Sequence, residues 1–355
     1  MHMSNSSNIK TVLITGSNGF IGSNLVERLC REDGYAVRAM ILKGTPEDTI
    51  RAFQRKYNAK FKEKFGIEKL KVVYADLLKP VTLKAAAEGC DSVVHLAGLV
   101  TDWGPAEAFF ELIERGTENL LNSLPDGIER FILMSSLTVH DLDGHCIDDE
   151  DCPRNMEFFT YGVAKIRAED LVREWAEESR KRDYACVRPG FNIYGPRDRA
   201  SFIVALDAAL KGKFGFINGG KSLISYVYVE NLVHGIVLML EAQDIDGPYI
   251  ISDGNKTWFD FVKSWTEAAG VEMPVISVPY WLISPFVWIL EKIYRLFKIK
   301  RRPILTLYNI RIMKNDLAFS SEKAETELGY VPLVPYDETI KRTLQYYRDE
   351  YETKK

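Results

Sequence analysis

The sequence predicts an α/β fold: a doubly wound parallel sheet followed by a smaller, mixed C-terminal lobe. Three observations predict it. Short apolar runs alternate with amphipathic segments as far as residue 190. The runs are apolar almost throughout, as strands covered on both faces must be. The first run leads directly into spaced glycines and then a helix.

Taken in order, residues 10–15 form a β-branched run that ends at Gly16. Residues 20–31 read as a helix, with Ile21, Leu25, Val26 and Leu29 at helical spacing. Strands are expected at 36–42, 69–74, 92–96, 130–135 and 185–188. Helices are expected at 45–64, 81–88, 107–124 and 161–182. Beyond 190 the alternation breaks down. A helix at 202–210, a strand at 224–229 and an apolar helix at 231–241 remain legible, followed by more proline and more aromatics. The expected division is residues 8–190 as a dinucleotide-binding domain and 191–355 as a substrate-binding lobe. Residues 223–242 are expected to return to the first domain, and no Gly/Ser-rich linker separates the two.

Composition narrows the function. The 355 residues are 46% hydrophobic and 27% charged, the balance of a soluble globular chain. The net charge of −4 carries no basic footprint, so a nucleic-acid partner is not expected. Cysteines at 30, 90, 146, 152 and 186 are odd in number and include no C-x-x-C pair. Neither a disulfide framework nor a bound metal is expected, and a reducing, cytoplasmic setting is. The first residues show no signal peptide. The longest apolar run, 280–290, is too short to span a bilayer and contains Pro285.

The strongest local feature is Gly16-Ser17-Asn18-Gly19-Phe20-Ile21-Gly22 between strand and helix. A helix N-terminus offers free N–H groups and a favourable dipole to a pyrophosphate. Gly16 permits the turn, Gly19 lets backbone approach phosphate, and Gly22 lets the helix pack against its strand. The spacing is G-x-x-G-x-x-G, and its flanks make it a Rossmann-type dinucleotide loop. The second strand ends in Arg38-Ala39-Met40-Ile41-Leu42-Lys43, with no acid for a ribose 2′-hydroxyl. Arg38 and Lys43 could instead meet a 2′-phosphate, so NADP is favoured over NAD. Asp76, after the third strand, is placed either to accept from an adenine amino group or to cap the next helix.

Tyr161 and Lys165 lie four apart on one helical face. A nearby ammonium is expected to lower a tyrosine pKa and fit it for proton transfer. Upstream, residues 131–136 end a strand with Ser135 and Ser136, where ligands of open α/β sheets bind. A serine there can orient a reacting hydroxyl or carbonyl.

These features in this order resemble the extended short-chain dehydrogenase/reductases over nearly the whole chain. The resemblance rests on the glycine loop, Asp76-Leu77, His95-Leu96-Ala97-Gly98 and residues 116–121. It continues through Ser135-Ser136, Tyr161 with Lys165, Arg188-Pro189-Gly190 and Tyr194-Gly195-Pro196. Residues 100–105, 226–234, 321–324 and 327–332 are most similar to the 3β-hydroxysteroid dehydrogenase and sterol-4α-carboxylate 3-dehydrogenase branch. The resemblance implies that Tyr161 is the general acid/base, that Lys165 tunes it and grips the nicotinamide ribose, and that Ser136 orients the substrate oxygen. Gly16, Gly19, Phe20, Ile21 and Gly22 would hold pyrophosphate, within a loop that includes Ser17 and Asn18. Asp76 and Leu77 would meet adenine, Ala97 and Gly98 the ribose side, and Pro189 and Asn192 the nicotinamide end. Two positions depart from the family. Ile113 stands where many members carry a proton-relaying Asn, and His140 stands where a Tyr is usual. A homodimer through the Tyr161 helix is implied as well.

The segment 280–302 places Phe286, Ile289, Leu290, Ile293 and Phe297 on one face and Glu291, Lys292, Arg295 and Lys298 opposite, with Lys300, Arg301 and Arg302 following. That is the composition of an interfacial helix. It also suits a substrate-lobe helix packed on the core or on a partner chain. The expected reaction is NAD(P)-linked interconversion of a secondary alcohol and a ketone on a small but bulky hydrophobic, sterol-like substrate. Two rival readings stand beside it. One is a nucleotide-sugar epimerase or dehydratase using Arg197 and Arg199 for a diphosphate. The other is a non-catalytic dinucleotide-sensing or membrane-scaffold protein.

Overall fold

The computed structural model describes residues 9–299 and 301–354. Residues 1–8, on which the signal-peptide expectation and the domain start fall, lie outside them, as do Lys300 and Lys355.

Fourteen strands are described. β1 (Lys10–Thr15), β2 (Tyr35–Ile41), β3 (Leu70–Tyr74), β4 (Ser92–His95), β5 (Arg130–Met134), β6 (His145–Asp148) and β7 (Asp183–Pro189) come first. β8 (Asn192–Tyr194), β9 (Gly215–Ile217), β10 (Leu223–Tyr228), β11 (Asp246–Ile251), β12 (Gly254–Thr257), β13 (Ile276–Val278) and β14 (Leu317–Phe319) follow.

Seven of them form one fully parallel sheet in the order β11-β7-β5-β4-β1-β2-β3. Strand order reverses between β1 and β4, and a doubly wound sheet opens its ligand crevice at that point. Val12, Leu13, Ile14, Val93, Val94, Phe131 and Ile132 are wholly buried, because helices cover both faces. Leu25, Val26 and Leu29 of helix Phe20–Cys30 pack on one face with Leu232, Val233 and Ile236 of helix Val229–Glu241. Leu83, Leu120, Ala164, Ala168 and Val172 cover the other. At about 25 cal/mol per Å², burial on two faces is the main term holding such a sheet together.

The expected helix at 107–124 is broken into Ala106–Phe109, a π-helical turn Phe110–Arg115 and Gly116–Leu121. Ile113 is buried in that turn, packed in the same core as Leu77 and Phe109. A polar proton relay therefore has no place at that position.

The return of the chain to the first domain differs from expectation. Helix Val229–Glu241 does lie on the main sheet, and β11 forms its edge. The strand before that helix, β10, does not: it belongs to a second sheet in the order β12-β10-β14-β6, with β8 paired to β10. Its Tyr226 and Tyr228 join an aromatic cluster with Tyr194, Phe261 and Trp265, while Val227 between them packs into the core of the main sheet. No helix among the described residues is long and apolar enough to cross a membrane.

Candidate active site

The glycine loop follows β1 at the switch point. Gly16 has φ +65°, and a β-carbon on it would come 2.9 Å from the Ala97 amide nitrogen. A β-carbon on Gly22 would come 2.2 Å from the Gly16 carbonyl oxygen. Only glycine allows helix and loop to approach so closely. Gly19 donates its N–H to the Gly16 carbonyl at 2.9 Å and then starts helix Phe20–Cys30 with no side-chain cap. The first-turn amides that begin at Phe20 and Ile21 thus keep no internal acceptor and suit an anionic group. Ser17 is buried and donates to the Ile14 carbonyl at 2.6 Å, so its hydroxyl shapes the loop. Asn18 donates to Thr45 and to the Pro46 carbonyl, at 2.8 and 2.9 Å, tying the loop to the turn after β2.

The ends of the neighbouring strands complete the crevice. Thr15 accepts from the Leu96 and Ala97 amides at 3.1 and 3.0 Å. Its own proton then goes to Nδ1 of His95, 2.7 Å away, and the other ring nitrogen donates to Thr117 at 3.2 Å. Burial, helped by the Lys165 charge, pushes His95 down to about 3, so it is a neutral strut. The sequence singled out neither Thr15 nor Thr117, although a polar residue ending a buried strand was a signal. Asp76 accepts from the Leu78 amide at 3.0 Å and lies 3.4 Å from Lys79. It is not the cap of helix Pro80–Ala87, where Lys79 takes that position. Leu77 is buried against Gly116, and its carbonyl accepts from Asn119 at 2.9 Å.

Of the two cations expected at a 2′-phosphate, Arg38 is elsewhere. Its guanidinium donates to the carbonyls of Ala86 and Glu88 at the end of helix Pro80–Ala87. A residue inside β2 points across the sheet face toward the covering helix, and those last-turn carbonyls need donors. Lys43 is exposed in the turn after β2, beside the Asn18 tether.

Ser135 and Ser136 divide by alternation. Ser135 is buried and donates to Glu169. Ser136 accepts from the Thr138 amide and hydroxyl at 3.2 and 2.8 Å and neighbours the Tyr161 hydroxyl. Tyr161 and Lys165 share one face of helix Thr160–Glu177, with the ammonium 5.7 Å from the tyrosine ring centre. Lys165 donates to the Met134 carbonyl at 2.6 Å, and a β-carbon on Gly98 would lie 3.9 Å from it.

The expected lowering of the Tyr161 pKa by Lys165 does not appear. Burial pushes the phenol up to about 12, and Ser136 alone works against that. The ammonium is spent on the Met134 carbonyl, and burial draws it down to about 8 despite Glu169 nearby. His140 is fully buried and structural. Its Nδ1 donates to the Pro153 carbonyl at 2.9 Å, and Nε2 accepts from Arg188 at 3.3 Å. Burial and Arg188 push it down to about 4.

Aromatic rings wall the space over Tyr161. Phe159 lies 5.7 Å and Phe109 6.5 Å from its ring, and Tyr308 stacks on Phe159 at 4.2 Å. Tyr308 comes from the C-terminal lobe, and nothing in its sequence surroundings marked it. Residues 100–105 are pinned over the site. Asp102 accepts from Arg302 and from Thr306, each at 2.7 Å, and Trp103 meets the edge of Tyr294 at 6.0 Å. At the far end Pro189 closes β7, and the Asn192 side-chain nitrogen is buried without a hydrogen-bond partner. An orphaned amide there, and glycines that a β-carbon would jam, fit a dinucleotide lying from the loop to Asn192.

The fold and site together define a dinucleotide-binding enzyme of the Rossmann type with a Ser/Tyr/Lys centre. Residues 12–252 match the model of the NAD dependent epimerase/dehydratase family, and the chain belongs to that family. It is 27% identical over 358 residues to mouse (Mus musculus) sterol-4-alpha-carboxylate 3-dehydrogenase, decarboxylating, covering 97% of this chain and 93% of that one. It is 29% identical over 371 residues to the 3 beta-hydroxysteroid dehydrogenase/Delta 5-->4-isomerase of Mycobacterium tuberculosis, covering 97% and 92%. Among solved structures, UDP-glucuronic acid 4-epimerase from Bacillus cereus in complex with NAD shares the fold. Its TM-score is 0.73 at 20% identity, over 96% of this chain and 99% of that one.

Proposed function

We propose that this protein is an NAD(P)-dependent dehydrogenase that interconverts a secondary alcohol and a ketone on a bulky, sterol-like substrate. The observation that carries this reading is the Tyr161 hydroxyl, set beside Ser136 and walled by Phe109, Phe159 and Tyr308. The wall selects an apolar body, and two hydroxyls address its single oxygen. The relatives named above act on sterols and 3β-hydroxysteroids, by their names, which agrees with such a wall.

The bound dinucleotide supplies hydride acceptance and return. The chain does the rest. Ser136 orients the substrate oxygen, Tyr161 takes or gives its proton, and Lys165, beside Gly98, holds positive charge at the ribose side. With Arg38 committed to a helix end, the preference for NADP rests on Lys43 and on the lack of an acid in the turn 42–46.

The nucleotide-sugar reading loses one of its two arginines. Arg197 is held by Asn24 at 3.0 Å and by Glu27, over the Phe53 ring, so it is not free for a diphosphate. A non-catalytic scaffold has no use for Ser136, Tyr161 and Lys165 together.

Helix Tyr280–Leu296 supports peripheral docking on an anionic lipid surface. Val287 is its one buried residue, packed with Ile217 and Ile310. Leu282, Phe286, Ile289, Ile293 and Leu296 form an exposed apolar stripe, with Phe286 66% and Leu296 76% accessible. Trp281 and Trp288 are exposed beside it, and Lys292 lies over Trp288; Arg295 lies over Trp103 and 3.9 Å from Glu291, which accepts from the Leu307 amide at 2.6 Å. Such a face suits a membrane interface. The proposed setting is cytoplasmic and peripheral to membrane, in keeping with five free cysteines, and the proposed assembly is a homodimer through helix Thr160–Glu177.

Turnover on hydroxysteroids and on sugar nucleotides, with NAD and NADP, tests the reading. Expected is steroid oxidation that falls about 10²–10⁴-fold in Tyr161→Phe with KM little changed. Full activity of Tyr161→Phe, or turnover of sugar nucleotides alone, overturns it. Sedimentation with anionic vesicles tests docking: failure to bind at low salt removes it.

A further inference from the structure

One side-chain cluster outside the catalytic crevice has no part in the chemistry above. His145, Asp148 and Cys152 lie in and after β6, on the second sheet. Among the described residues they are the group of three whose ligand atoms converge. His145 Nδ1 lies 2.7 Å from Asp148 Oδ2. Cys152 Sγ lies 3.5 Å from that nitrogen and 3.6 Å from that oxygen.

The two sulfur spacings are those of a coordination shell. An ion bound about 2.3 Å from sulfur and about 2.0–2.1 Å from nitrogen and oxygen, with tetrahedral angles, separates sulfur from each of the others by about 3.5 Å. Both sulfur distances match. The nitrogen and oxygen need to open by roughly 0.6 Å from their hydrogen bond.

The surroundings hold the histidine as a metal site requires. Its other nitrogen faces the Asp141 carbonyl at 3.1 Å and the Asp141 carboxylate at 3.3 Å. A proton on that nitrogen leaves the Nδ1 lone pair facing Asp148 and Cys152. Asp141 is itself fixed by the Asp143 amide at 2.8 Å and by the Asn155 side chain at 2.5 Å. The imidazole is 5% exposed and stacks on Phe319 at 4.9 Å. Residues 145 and 148 of a regular strand would face opposite ways. Here Ile147, at φ +62°, and a register shift opposite Ala318 and Phe319 turn Asp148 back beside His145.

We propose that His145 Nδ1, Asp148 Oδ2 and Cys152 Sγ bind a zinc-class divalent ion, with water in a fourth position. Mixed N, O and S ligands suit zinc, and calcium or magnesium would want oxygen alone. The partly exposed Asp148 leaves an entry path. The sequence expectation of no metal rested on cysteine pairs, whereas this group uses one cysteine in the spacing H-x-x-D-x-x-x-C. The ion would clamp the segment 141–152, whose Glu150 carboxylate accepts from the Ile250 amide at 2.6 Å and whose Glu150 carbonyl accepts from Arg188.

The test is metal uptake by the full-length chain after chelator treatment, with Zn²⁺ or Co²⁺ as the probe. Expected are one Zn²⁺ per chain and, with Co²⁺, tetrahedral d–d bands plus a thiolate-to-cobalt band. That band persists in Cys146→Ser, which removes the exposed neighbouring thiol. Cys152→Ser loses the band and at least 100-fold in Zn²⁺ affinity, and Asp141→Asn loses about tenfold. Zn²⁺ raises the melting temperature of the unaltered chain and not that of Cys152→Ser. The spectrum of the unaltered chain decides the matter even where a variant folds poorly. No stoichiometric uptake, or a thiolate band that survives Cys152→Ser, overturns the proposal. The first result would mean that His145, Asp148 and Cys152 are held together by their hydrogen bonds alone.

Discussion

Arg188 meets Glu169 through two hydrogen bonds, of 3.0 and 2.7 Å, with both side chains almost wholly out of water. Glu169 lies one turn beyond Lys165 on the helix that carries Tyr161. Ser135 and Arg154 also bind Glu169, and His140 accepts from Arg188. Removing Arg188 leaves the buried Glu169 carboxylate only Ser135 and Arg154, so the cost is at most that of a broken buried pair, about 3–5 kcal/mol. Arg188→Met is therefore expected to lose up to that much stability in urea titrations. Since an apolar replacement of both partners is often neutral, Arg188→Met with Glu169→Leu should recover a large part of it. Equal losses in the single and double variants would show that the pair is not a unit.

The contact of Gly22 with Gly16 makes a second prediction. Alanine at 22 would drive its β-carbon to 2.2 Å from the Gly16 carbonyl, and the loop would have to open. Overpacking of this kind costs about 1–3 kcal/mol. Dinucleotide affinity, read by calorimetry, is expected to fall at least about tenfold. An unchanged affinity would remove the loop from the cofactor site.

The proposed preference for NADP rests on one cation. Lys43→Ala should weaken NADP by about tenfold and leave NAD within a factor of about two, because only NADP offers a phosphate there. Arg38→Ala should change the two equally, through loss of its helix-end hydrogen bonds. Discrimination by Arg38 instead would mean that its side chain leaves Ala86 when NADP binds.

The proton inventory of Tyr161 and Lys165 sets the pH profiles. Oxidation needs the phenolate and the ammonium. With Tyr161 raised to about 12 and Lys165 lowered to about 8, its kcat/KM should climb up to about pH 8 and level off above. Reduction needs the phenol and the ammonium, so it should be level below pH 8 and fall above it. Lys165→Met should abolish the break near 8 in both directions. A break that persists in that variant belongs to another group.

Acid should destabilise the fold through two buried histidines. His95 and His140 are held down to about 3 and about 4, so between those values and about 6.5 the unfolded chain binds more protons. Stability is complete above about 6.5 and falls as pH drops through that window, by about 2 kcal/mol per histidine at pH 5. Asp253, raised to about 6 by burial, works the other way below its pKa and returns about 1 kcal/mol. The expected net loss from pH 8 to 5 is about 3 kcal/mol, read by denaturant titration at each pH. Equal stability at both would mean that the two rings are protonated in the folded chain as well, or that acidic groups compensate.

The parts of the site that local sequence could reveal were those built from neighbours in the chain. The glycine loop and Tyr161 with Lys165 are short motifs, and their spacing alone puts them on one turn or one helical face. Glu169 sits on that same face, two turns beyond Tyr161, yet an acid on a helix reads as a surface residue until Arg188 is brought to it from β7. Arg38 shows the converse. Its place near the end of β2 suggested phosphate, but the helix packed on that face offered two carbonyls first.

By itself the sequence determined the parallel sheet, the glycine loop and the helix that carries Tyr161 and Lys165, because hydrophobic period and glycine spacing are local properties. Tertiary structure alone decided which charges are free. It committed Arg38 and Arg197, turned Lys165 to Met134, and left Lys43 in solvent. It also brought Tyr308 over Phe159, and His145, Asp148 and Cys152 to one point. The reason is that a polar group entering the interior takes the nearest available partner, and which partner is nearest is fixed only when distant strands and helices have packed.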